Sequence, residues 1–258
     1  MGVLDLFDIK GKTAIVTGGG RGLGAQIAET YAEVGANIVL CSRKIEGCEE
    51  VTKQLEEKYG VETLALKCNI TDPGDVNNVI ENTRETFGSI DILVNNSGAT
   101  WGAPAAEIPL EAWEKVINVN ITGTFLMSQA VGKVMIEQGG GRIVNIASVA
   151  ALKSSMPEVM DTIPYNTSKG AVVSFTKDLA VKWGRYNINV NAIAPGFFPT
   201  KMSKVVMEEG GDAILSQTPL GRFGGDEDLK GAALFLASKA SNYVTGDVVV
   251  VDGGSHLL

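Results

Sequence analysis

Histidine and cysteine are scarce in this chain of 258 residues, which has one of the former and three of the latter. A hydrolase with a serine, histidine and aspartate triad would need His256 as its general base, but the frayed end of a chain positions such a group poorly. Cys41, Cys48 and Cys68 are odd in number and lack the paired spacing of metal ligands. We therefore expect free thiols in a reducing cytoplasm, no metal site and no hydrolase of this class.

Long apolar runs and blocks of like charge are also missing. No stretch of about 18 uncharged apolar residues occurs, and the first ten residues lack a basic start, so we expect neither a membrane span nor a signal peptide. Lys and Arg total 22 against 30 Asp and Glu, a net charge of -8 without long blocks of either sign. This balance disfavours a nucleic-acid partner. The length fits a single domain over residues 1–258.

Short apolar runs alternate with helical segments along the whole chain. The predicted strands are residues 12–17, 37–41, 62–69, 91–94, 142–147, 188–193 and 248–251. The predicted helices are residues 25–34, 46–59, 73–87 and the segment around Tyr165, while residues 111–137 carry apolar side chains at helical spacing as one long helix or two. This alternation predicts an α/β fold with a doubly wound, mostly parallel seven-stranded sheet.

A glycine-rich loop follows the first predicted strand. Residues 18–24 read GGGRGLG and lead directly into the first predicted helix. Glycines let the backbone turn tightly and approach a pyrophosphate, whose charge is met by the helix N-terminus. Ordinary turns also use glycine, so the glycines alone are weak evidence. The flanking strand and helix favour a phosphate-binding loop over an ordinary turn.

The end of the second predicted strand indicates which dinucleotide is bound. An acidic residue there binds a free ribose 2′-hydroxyl, whereas an arginine binds a 2′-phosphate. This chain has Ser42 and Arg43 at that position, with Arg21 in the glycine loop as a second cation. The sequence predicts NADP(H) rather than NAD(H). The alternative is that Arg43 only begins the solvated face of the next helix.

Tyr165 and Lys169 are four residues apart and would share one face of a helix. A free phenol has a pKa of about 10 and is a poor acid or base at neutral pH. A neighbouring ammonium favours the charged form and brings the phenol towards its working range. Taken alone, the pair is more typical of an ordinary helix surface than of a catalytic site.

Together these motifs make the chain similar to the short-chain dehydrogenase/reductase family over nearly its whole length. Residues 17–24 match the family pattern TGxxxGxG, and residues 95–98, NNSG, are close to its NNAG. Asn120 within VNITG, Ser148 after a predicted strand, Tyr165 with Lys169, and Pro195 with Gly196 follow in family order. The resemblance implies a Rossmann fold.

The resemblance also implies a catalytic tetrad of Asn120, Ser148, Tyr165 and Lys169. Tyr165 would be the general acid in reduction and the general base in oxidation, and Ser148 would bind the substrate oxygen. Lys169 would lower the pKa of Tyr165 and bind the nicotinamide ribose, while Asn120 would hold a water that links Lys169 to solvent. The alternatives are a polar break in a helix for Asn120 and a strand-end cap for Ser148.

The expected cofactor contacts span the chain. They are Gly18, Arg21, Gly22, Leu23, Gly24, Ser42, Arg43, Asn69, Ile70, Asn96, Ser97, Gly98, Tyr165, Lys169, Pro195, Gly196, Phe198 and Thr200. Asn69 replaces the usual aspartate, and its amide can still contact adenine. Thr200 is expected at the nicotinamide carboxamide, in a loop that Phe198 and Pro199 make less open than usual.

Two segments depart from the family pattern or vary within it. The stretch before Tyr165 is a few residues longer than usual, with residues 156–161 as the excess, and should lie over the substrate cleft. Residues 197–220 are interpreted as a small lid, helical from 203 onward, with Gly210 and Gly211 as its hinge. The alternative is an ordinary surface helix pair. Residues 226–228, DED, are interpreted as an acidic helix start rather than a metal site.

The leading functional hypothesis is an NADP(H)-linked oxidoreductase that interconverts a ketone and a secondary alcohol of a small molecule. A sugar acid is the favoured substrate, as in the gluconate 5-dehydrogenases of the family, and a 3-oxoacyl thioester on a carrier protein or coenzyme A is the alternative. Lys153 and Lys201 are candidate anchors for a carboxylate or a carrier phosphate. A non-catalytic nucleotide sensor is the alternative from another class, which a degraded tetrad would have favoured. The family likeness implies a homotetramer.

Overall fold

Seven strands form one sheet in the computed structural model, which describes residues 2–157, 159–201 and 203–258. The strands are β1 (Thr13–Thr17), β2 (Asn37–Ser42), β3 (Thr63–Lys67), β4 (Ile92–Asn95), β5 (Gly141–Ile146), β6 (Ile188–Pro195) and β7 (Val248–Val251). Their order is β3-β2-β1-β4-β5-β6-β7, and all neighbouring pairs are parallel. The predicted doubly wound sheet is confirmed.

The strand order reverses between β1 and β4. From β1 the chain builds outward through β2 to β3, then returns to place β4 on the other side of β1, where Val16 pairs with Val94. Connections leave the sheet in opposite directions at such a point, so a crevice opens beyond the carboxyl ends of the two strands. The glycine loop and the residues after Asn95 lie at this crevice.

Helices cover both faces of the sheet. They are α1 (Gly22–Glu33), α2 (Glu46–Tyr59), α3 (Pro73–Phe87), α4 (Leu110–Ile117), α5 (Thr124–Gln138), α6 (Ile163–Trp183), α7 (Lys204–Ser216) and α8 (Lys230–Ala237). Ala14 and Val16 of β1 pack in one apolar cluster, with α1 and α8, while Ile15 packs in another with α3 and α5. This alternation follows from the two-residue period of a strand. No helix among the described residues has the length and apolarity to span a bilayer.

The segment 111–137 resolves into two α-helices joined by a π-helical turn. The turn comprises Asn118–Gly123, between α4 and α5. A π-helix has hydrogen bonds from i to i+5, whereas those of an α-helix run from i to i+4. Each hydrogen-bonded turn of the π-helix therefore encloses one additional residue. The extra residue shifts the apolar stripe between the two helices, which explains why the spacing fitted either one helix or two.

Some predicted boundaries need correction. α1 begins at Gly22, three residues earlier than predicted, and so includes the end of the glycine loop. α8 begins at Lys230, and Asp228 does not cap it: the Asp228 carboxylate binds both terminal nitrogens of Arg222 and the backbone N–H of Gly225. Within the described residues, no group of three or more His, Cys, Asp or Glu could hold a metal ion.

Candidate active site

The glycine loop packs directly against the turn after β4. Gly18 and Gly22 have φ angles of 66° and 55°, in the left-handed region that favours glycine. A Cβ at Gly18 would lie 3.0 Å from Ser97 Oγ, and one at Gly24 would lie 2.4 Å from Asn96 Nδ2. Side chains at these positions would push the two loops apart, so the glycines permit the crevice to close to backbone width.

The first turn of α1 offers free donors to an anion. Its N-cap residue is Arg21, whose extended backbone starts the helix and whose side chain does not cap it. The first N–H groups of a helix have no intrahelical acceptor and lie at the positive end of its dipole. A dinucleotide pyrophosphate therefore fits at this turn, held by the backbone from Gly22 onward.

Thr17 fastens the two loops together. Its hydroxyl oxygen accepts the N–H groups of Asn96 and Ser97, both at 3.0 Å. In return Asn96 Nδ2 donates to the carbonyls of Thr17 at 2.9 Å and Gly18 at 3.2 Å. Thr17 was not among the predicted site residues, although it opens the TGxxxGxG pattern. Its hydroxyl acts on the loops rather than on a ligand.

Asn120 is 1% exposed and lies in the π-helical turn. Its Nδ2 donates to the carbonyl of Ala99 at 2.9 Å and to Ser168 Oγ at 2.8 Å, while its Oδ1 accepts the N–H of Ala99 at 2.7 Å. Ser168 Oγ in turn donates to the carbonyl of Tyr165 at 2.7 Å. The Asn120 side chain therefore ties the loop after β4 to α6. Both of its amide donors are committed, so a water would have to bind a remaining acceptor lone pair.

Lys169 is 5% exposed and lies beside the same loop. Its Nζ donates to the carbonyl of Ile146 at 2.6 Å and lies 5.6 Å from the centroid of the Tyr165 ring. A Cβ at Gly98 would lie 3.8 Å from this Nζ and 3.5 Å from Asn120 Oδ1. Four of the residues predicted from separate motifs are thus brought together. Burial lowers the pKa of Lys169 to about 8.

Tyr165 is partly exposed, but enough protein surrounds it for burial to raise the pKa of its phenol above the ordinary value. The neighbouring Ser148 hydroxyl acts in the opposite direction with a smaller effect. The net direction is upward, because loss of solvation outweighs the Ser148 hydrogen bond, so a lowering of this pKa by Lys169 stays a prediction. Tyr165 is a protonated phenol at neutral pH.

Ser148 lies at the carboxyl end of β5 and is buried. Its Oγ accepts the N–H of Ala150 at 3.2 Å and so caps the short turn Val149–Ala151. The strand-end cap considered as an alternative is therefore present. A hydroxyl also has one donor hydrogen. The cap leaves that hydrogen available for an oxygen in the cleft.

The two cations predicted for a 2′-phosphate lie in the glycine loop and just after β2. Arg21 and Arg43 are exposed, and neither forms an ion pair within the described part of the chain. Ser42 Oγ donates to the carbonyl of Lys44 and accepts from Cys48 Sγ at 3.3 Å. The Ser42 hydroxyl therefore forms hydrogen bonds within the turn. The guanidinium groups of Arg21 and Arg43 have no ion-pair partner among the described residues.

After β3, the side chains of Asn69 and Ile70 face the protein. Asn69 Oδ1 accepts from Thr71 Oγ1 at 3.0 Å, and the Asn69 N–H donates to Asp75 Oδ2 at 2.8 Å. The amide nitrogen of Asn69 is the part of its side chain left for adenine. Ile70 is 6% exposed and packs against Gly123.

The segment after β6 divides into an inward and an outward part. The Phe198 side chain is buried in an apolar cluster, and a Cβ at Gly224 would lie 2.4 Å from its ring. Because the ring is held in the core, the predicted cofactor contact of Phe198 would have to come from its backbone. Thr200 instead lies over the glycine loop, where a Cβ at Gly22 would be 3.4 Å from Thr200 Cγ2. Pro195 and Gly196, which precede these two residues, pack against the loop that follows β7. A Cβ at Gly196 would lie 2.8 Å from Asp252 Cα.

Irregular loops follow β4 and precede Tyr165, where the sequence predicts the substrate cleft. The Ala103 N–H donates to the carbonyl of Asp161 at 3.0 Å and joins the loop after β4 to the long segment before Tyr165. Trp101 and Met156 are 43% and 67% exposed on these loops. Of the predicted excess at 156–161, residue 158 lies outside the described residues. The Lys153 ammonium donates to the carbonyl of Ser255, so this candidate anchor is engaged by protein, whereas Lys201 is exposed.

Comparison with known proteins gives matches over almost the entire chain. The family model described as "Enoyl-(Acyl carrier protein) reductase" matches residues 18–256. A 3-oxoacyl-[acyl-carrier-protein] reductase of Aquifex aeolicus is 39% identical over 246 residues, covering 95% of this chain and 98% of its own. A gluconate 5-dehydrogenase of Gluconobacter oxydans is 38% identical over 252 residues, covering 97% of this chain and 96% of its own. The two relatives act on different substrates at nearly equal identity.

A solved structure extends the likeness to three dimensions. A gluconate 5-dehydrogenase from Burkholderia cenocepacia, in complex with NADP and tartrate, superimposes with a TM-score of 0.94 at 35% sequence identity, covering 100% of both chains. The crevice at β1 and β4 therefore lies on a fold that holds a dinucleotide in another protein.

Proposed function

This chain belongs to the short-chain dehydrogenase/reductase family and is an oxidoreductase that acts on alcohol and ketone groups, and we propose that it interconverts the ketone and the secondary alcohol of a sugar acid with NADP(H). The observation that carries the proposal is the meeting of Asn120, Tyr165 and Lys169 beside Gly98, next to a glycine loop with free helix donors. This arrangement joins a proton-transfer site to a dinucleotide cleft.

The protein contributes a proton and a place for the substrate oxygen. When bound, NADP(H) exchanges hydride at its nicotinamide ring with the substrate carbon. Tyr165 donates a proton to the substrate oxygen during ketone reduction, and Ser148 donates a hydrogen bond to the same oxygen. Burial raises the pKa of Tyr165, so the phenol carries its proton at neutral pH. That protonation state suits the reductive direction.

Lys169 and Asn120 position Tyr165 and the cofactor in this proposal. The Lys169 ammonium is fixed by the carbonyl of Ile146 and binds the nicotinamide ribose hydroxyls in this proposal. Asn120 fixes the loop at Ala99 and, through Ser168, the first turn of α6 that carries Tyr165. Buried hydrogen bonds to the backbone therefore fix the position of Lys169 and of the helical turn that carries Tyr165.

The cofactor preference rests on charge. Arg21 and Arg43 are exposed cations at the glycine loop and at the end of β2, where a dinucleotide fold meets the adenosine ribose. A phosphate dianion at the 2′ position gains charge-assisted hydrogen bonds from two guanidinium groups, whereas a bare hydroxyl does not. The B. cenocepacia gluconate 5-dehydrogenase contains NADP, which supports the same preference.

The sugar-acid substrate is supported by two of the relatives. The gluconate 5-dehydrogenases of G. oxydans and B. cenocepacia match nearly the full chain, and the latter contains the hydroxy acid tartrate. The A. aeolicus 3-oxoacyl-[acyl-carrier-protein] reductase at 39% identity favours a 3-oxoacyl thioester as the second candidate. Both substrates present a ketone to the same tetrad and differ only in what the loops must hold.

A substrate panel tests the proposal. Purified protein is mixed with 5-ketogluconate or an acetoacetyl thioester, each with NADPH and with NADH, and reduced cofactor is followed by absorbance. We expect kcat/KM for the keto acid to exceed that for the thioester by at least about tenfold, a ratio within the reach of pocket contacts. Turnover of the thioester alone would replace the sugar-acid assignment. Tight NADPH binding without turnover of any ketone would favour a nucleotide sensor.

We also propose that residues 197–220 act as a lid that closes over the substrate, with Gly210 and Gly211 as its hinge. Both glycines lie in α7, and a Cβ at Gly210 would meet nothing within 4 Å. Residue 202 lies outside the described residues. Hydrogen exchange of the segment 203–220 with and without NADP(H) and substrate tests the lid. Unchanged protection would identify α7 as an ordinary surface helix.

A homotetramer acting in the cytoplasm is the proposed assembly and location. Phe125 on α5 and Val181 on α6 are exposed apolar side chains, which suit the core of a subunit interface. Light scattering coupled to size exclusion measures the mass. A tetramer that dissociates in Val181→Lys supports this surface as the interface, and a monomeric parent protein contradicts the assembly.

A further inference from the structure

Ile70 and Gly123 make an unusually close contact inside the molecule. Gly123 ends the π-helical turn Asn118–Gly123, and Ile70 follows β3 by three residues. A Cβ at Gly123 would lie 2.5 Å from Ile70 Cδ1 and 2.7 Å from Ile70 Cγ1. No side chain other than hydrogen fits there unless Ile70 or the turn moves. The Ile70 side chain therefore occupies the space that any larger residue at position 123 would need.

The two partners belong to different ends of the cofactor cleft. Ile70 adjoins Asn69, at the strand end expected to meet adenine, and its backbone is held by a loop in which the Asn69 carbonyl accepts the N–H of Asp72 at 2.8 Å. Gly123 shares its turn with Asn120, whose amide fixes Ala99 and Ser168. A single buried contact thus connects the adenosine end to the residue that positions Tyr165.

We propose that Ile70, seated against Gly123, is a positioning residue that couples the adenosine end of the cleft to Asn120. This inference rests on the proposed function, because it assigns the cleft to NADP(H). A ligand that orders the loop at Asn69 also fixes Ile70, and Ile70 fixes the π-helical turn. The turn then holds Asn120 in register with α6. Displacement of Ile70 weakens cofactor binding and slows proton transfer together.

A double-mutant cycle tests the coupling. Gly123→Ala introduces the methyl group that meets Ile70, and Ile70→Ala removes both atoms that lie nearer than 3.4 Å to it. Each single variant should raise the Kd for NADPH and lower kcat, Gly123→Ala by about tenfold in each, as expected of directly contacting residues. The double variant should recover most of the loss, because the new methyl group takes up the vacated space.

Two matched variants control for general damage. Gly132→Ala adds the same methyl group to α5, where it would lie 2.2 Å from the Trp183 ring, and Ile80→Ala makes the same truncation in buried α3. Both should lower the melting temperature but leave the Kd for NADPH and the pH profile of kcat unchanged. Neither should rescue Gly123→Ala.

The measurements are the NADPH Kd of the purified protein by fluorescence, kcat, and the pH dependence of kcat. Additive effects in the double variant, or losses in stability without changes in Kd and pH profile, would overturn the coupling. These outcomes differ from failure of the proposed function, in which the parent protein itself would bind no NADPH or reduce no ketone. Circular dichroism of each variant ensures that only folded protein is compared.

Discussion

The two walls of the active site are built in different ways. On one wall, Asn120, Ser148 and Lys169 are buried in or next to regular elements, and each side chain forms a hydrogen bond to a backbone group. On the other wall, the loops that carry Trp101 and Met156 are irregular and present exposed apolar side chains. Under the proposed function, the first wall carries the proton transfer and the second selects the substrate.

This difference explains why full-length relatives act on different substrates. A 3-oxoacyl-[acyl-carrier-protein] reductase and a gluconate 5-dehydrogenase match this chain at 39% and 38% identity. Buried groups that must keep their partners tolerate little change, whereas loops tolerate insertion and substitution at small cost. We therefore expect loop residues to differ between such relatives more readily than the buried groups.

Removal of the phenol hydroxyl tests the buried wall with the largest expected effect. Tyr165→Phe should lower kcat by about a thousandfold on every substrate, because a positioned acid contributes on the order of 10²–10⁴ in rate. The Kd for NADPH should stay within about twofold, since the hydroxyl is not the main cofactor contact. Steady-state kinetics and fluorescence titration measure the two quantities. Substantial turnover by this variant would refute the acid/base role.

Lys169→Met tests the free-energy cost of burying the Lys169 ammonium in the same wall. Burial lowers the pKa of Lys169 to about 8 from an ordinary 10.5, so between these pH values the unfolded chain binds more protons than the folded protein. The stability contributed at this position is therefore least below pH 8 and rises as the pH increases towards 10.5. The parent protein should gain melting temperature relative to Lys169→Met over this window, and parallel curves would contradict the shift. Activity should fall about a hundredfold in the variant.

Arg43→Ala moves the test to the adenosine end. Loss of one guanidinium should raise the KM for NADPH about tenfold and leave the KM for NADH unchanged, as expected for one charge-assisted contact. Arg185→Ala, at an exposed arginine that stacks on Tyr186, is the matched control. An unchanged preference for NADPH over NADH in Arg43→Ala would mean that Arg43 only begins the solvent-exposed face of the next helix.

Trp101→Ala sharpens the contrast between the walls. It should change the ratio of kcat/KM between the keto acid and the thioester by about threefold, the scale of a lost apolar contact in an open site. The melting temperature and the Kd for NADPH should not change, because the side chain is 43% exposed. Equal losses on both substrates would place Trp101 with the proton-transfer wall instead.

Gly210→Ala has the smallest expected effect. A Cβ at this position meets nothing within 4 Å, so the methyl group fits without strain. Alanine favours a helix over glycine by about 0.8–1.0 kcal/mol, and α7 should be stabilised by part of this amount. A lid that opens more slowly would then lower kcat slightly. Hydrogen exchange in α7 and the viscosity dependence of kcat measure the two effects.

The sheet and the meeting of Asn120, Tyr165 and Lys169 could be predicted from sequence, because they follow from local patterns. Apolar runs, the glycine loop and the helical spacing of Tyr165 and Lys169 are each visible within a few residues. The orientation of Phe198 could not be predicted, since its burial depends on Gly224, which is distant in sequence. The bond from Lys153 to the carbonyl of Ser255 joins residues 102 apart for the same reason.

The pKa values of the tetrad were also beyond prediction. The spacing of Tyr165 and Lys169 indicates proximity, and proximity alone suggested a lowered phenol pKa. Burial of both groups, which depends on the packing of α6 against β5 and the loop after β4, raises the pKa of Tyr165 and lowers that of Lys169. Thr17, Ala99 and Ser168 were missed as supporting residues, although the first and last lie inside the quoted motifs.

The π-helical turn at Asn118–Gly123 has a consequence for engineering and for alignment. Its additional residue is equivalent to a single insertion into an otherwise continuous helix. Deletion of one residue within the turn would make α4 and α5 one continuous α-helix, but it would rotate their buried faces out of register and turn Asn120 away from Ala99. Grafts that treat residues 110–138 as an ordinary helix would therefore lose both core packing and the contacts of Asn120.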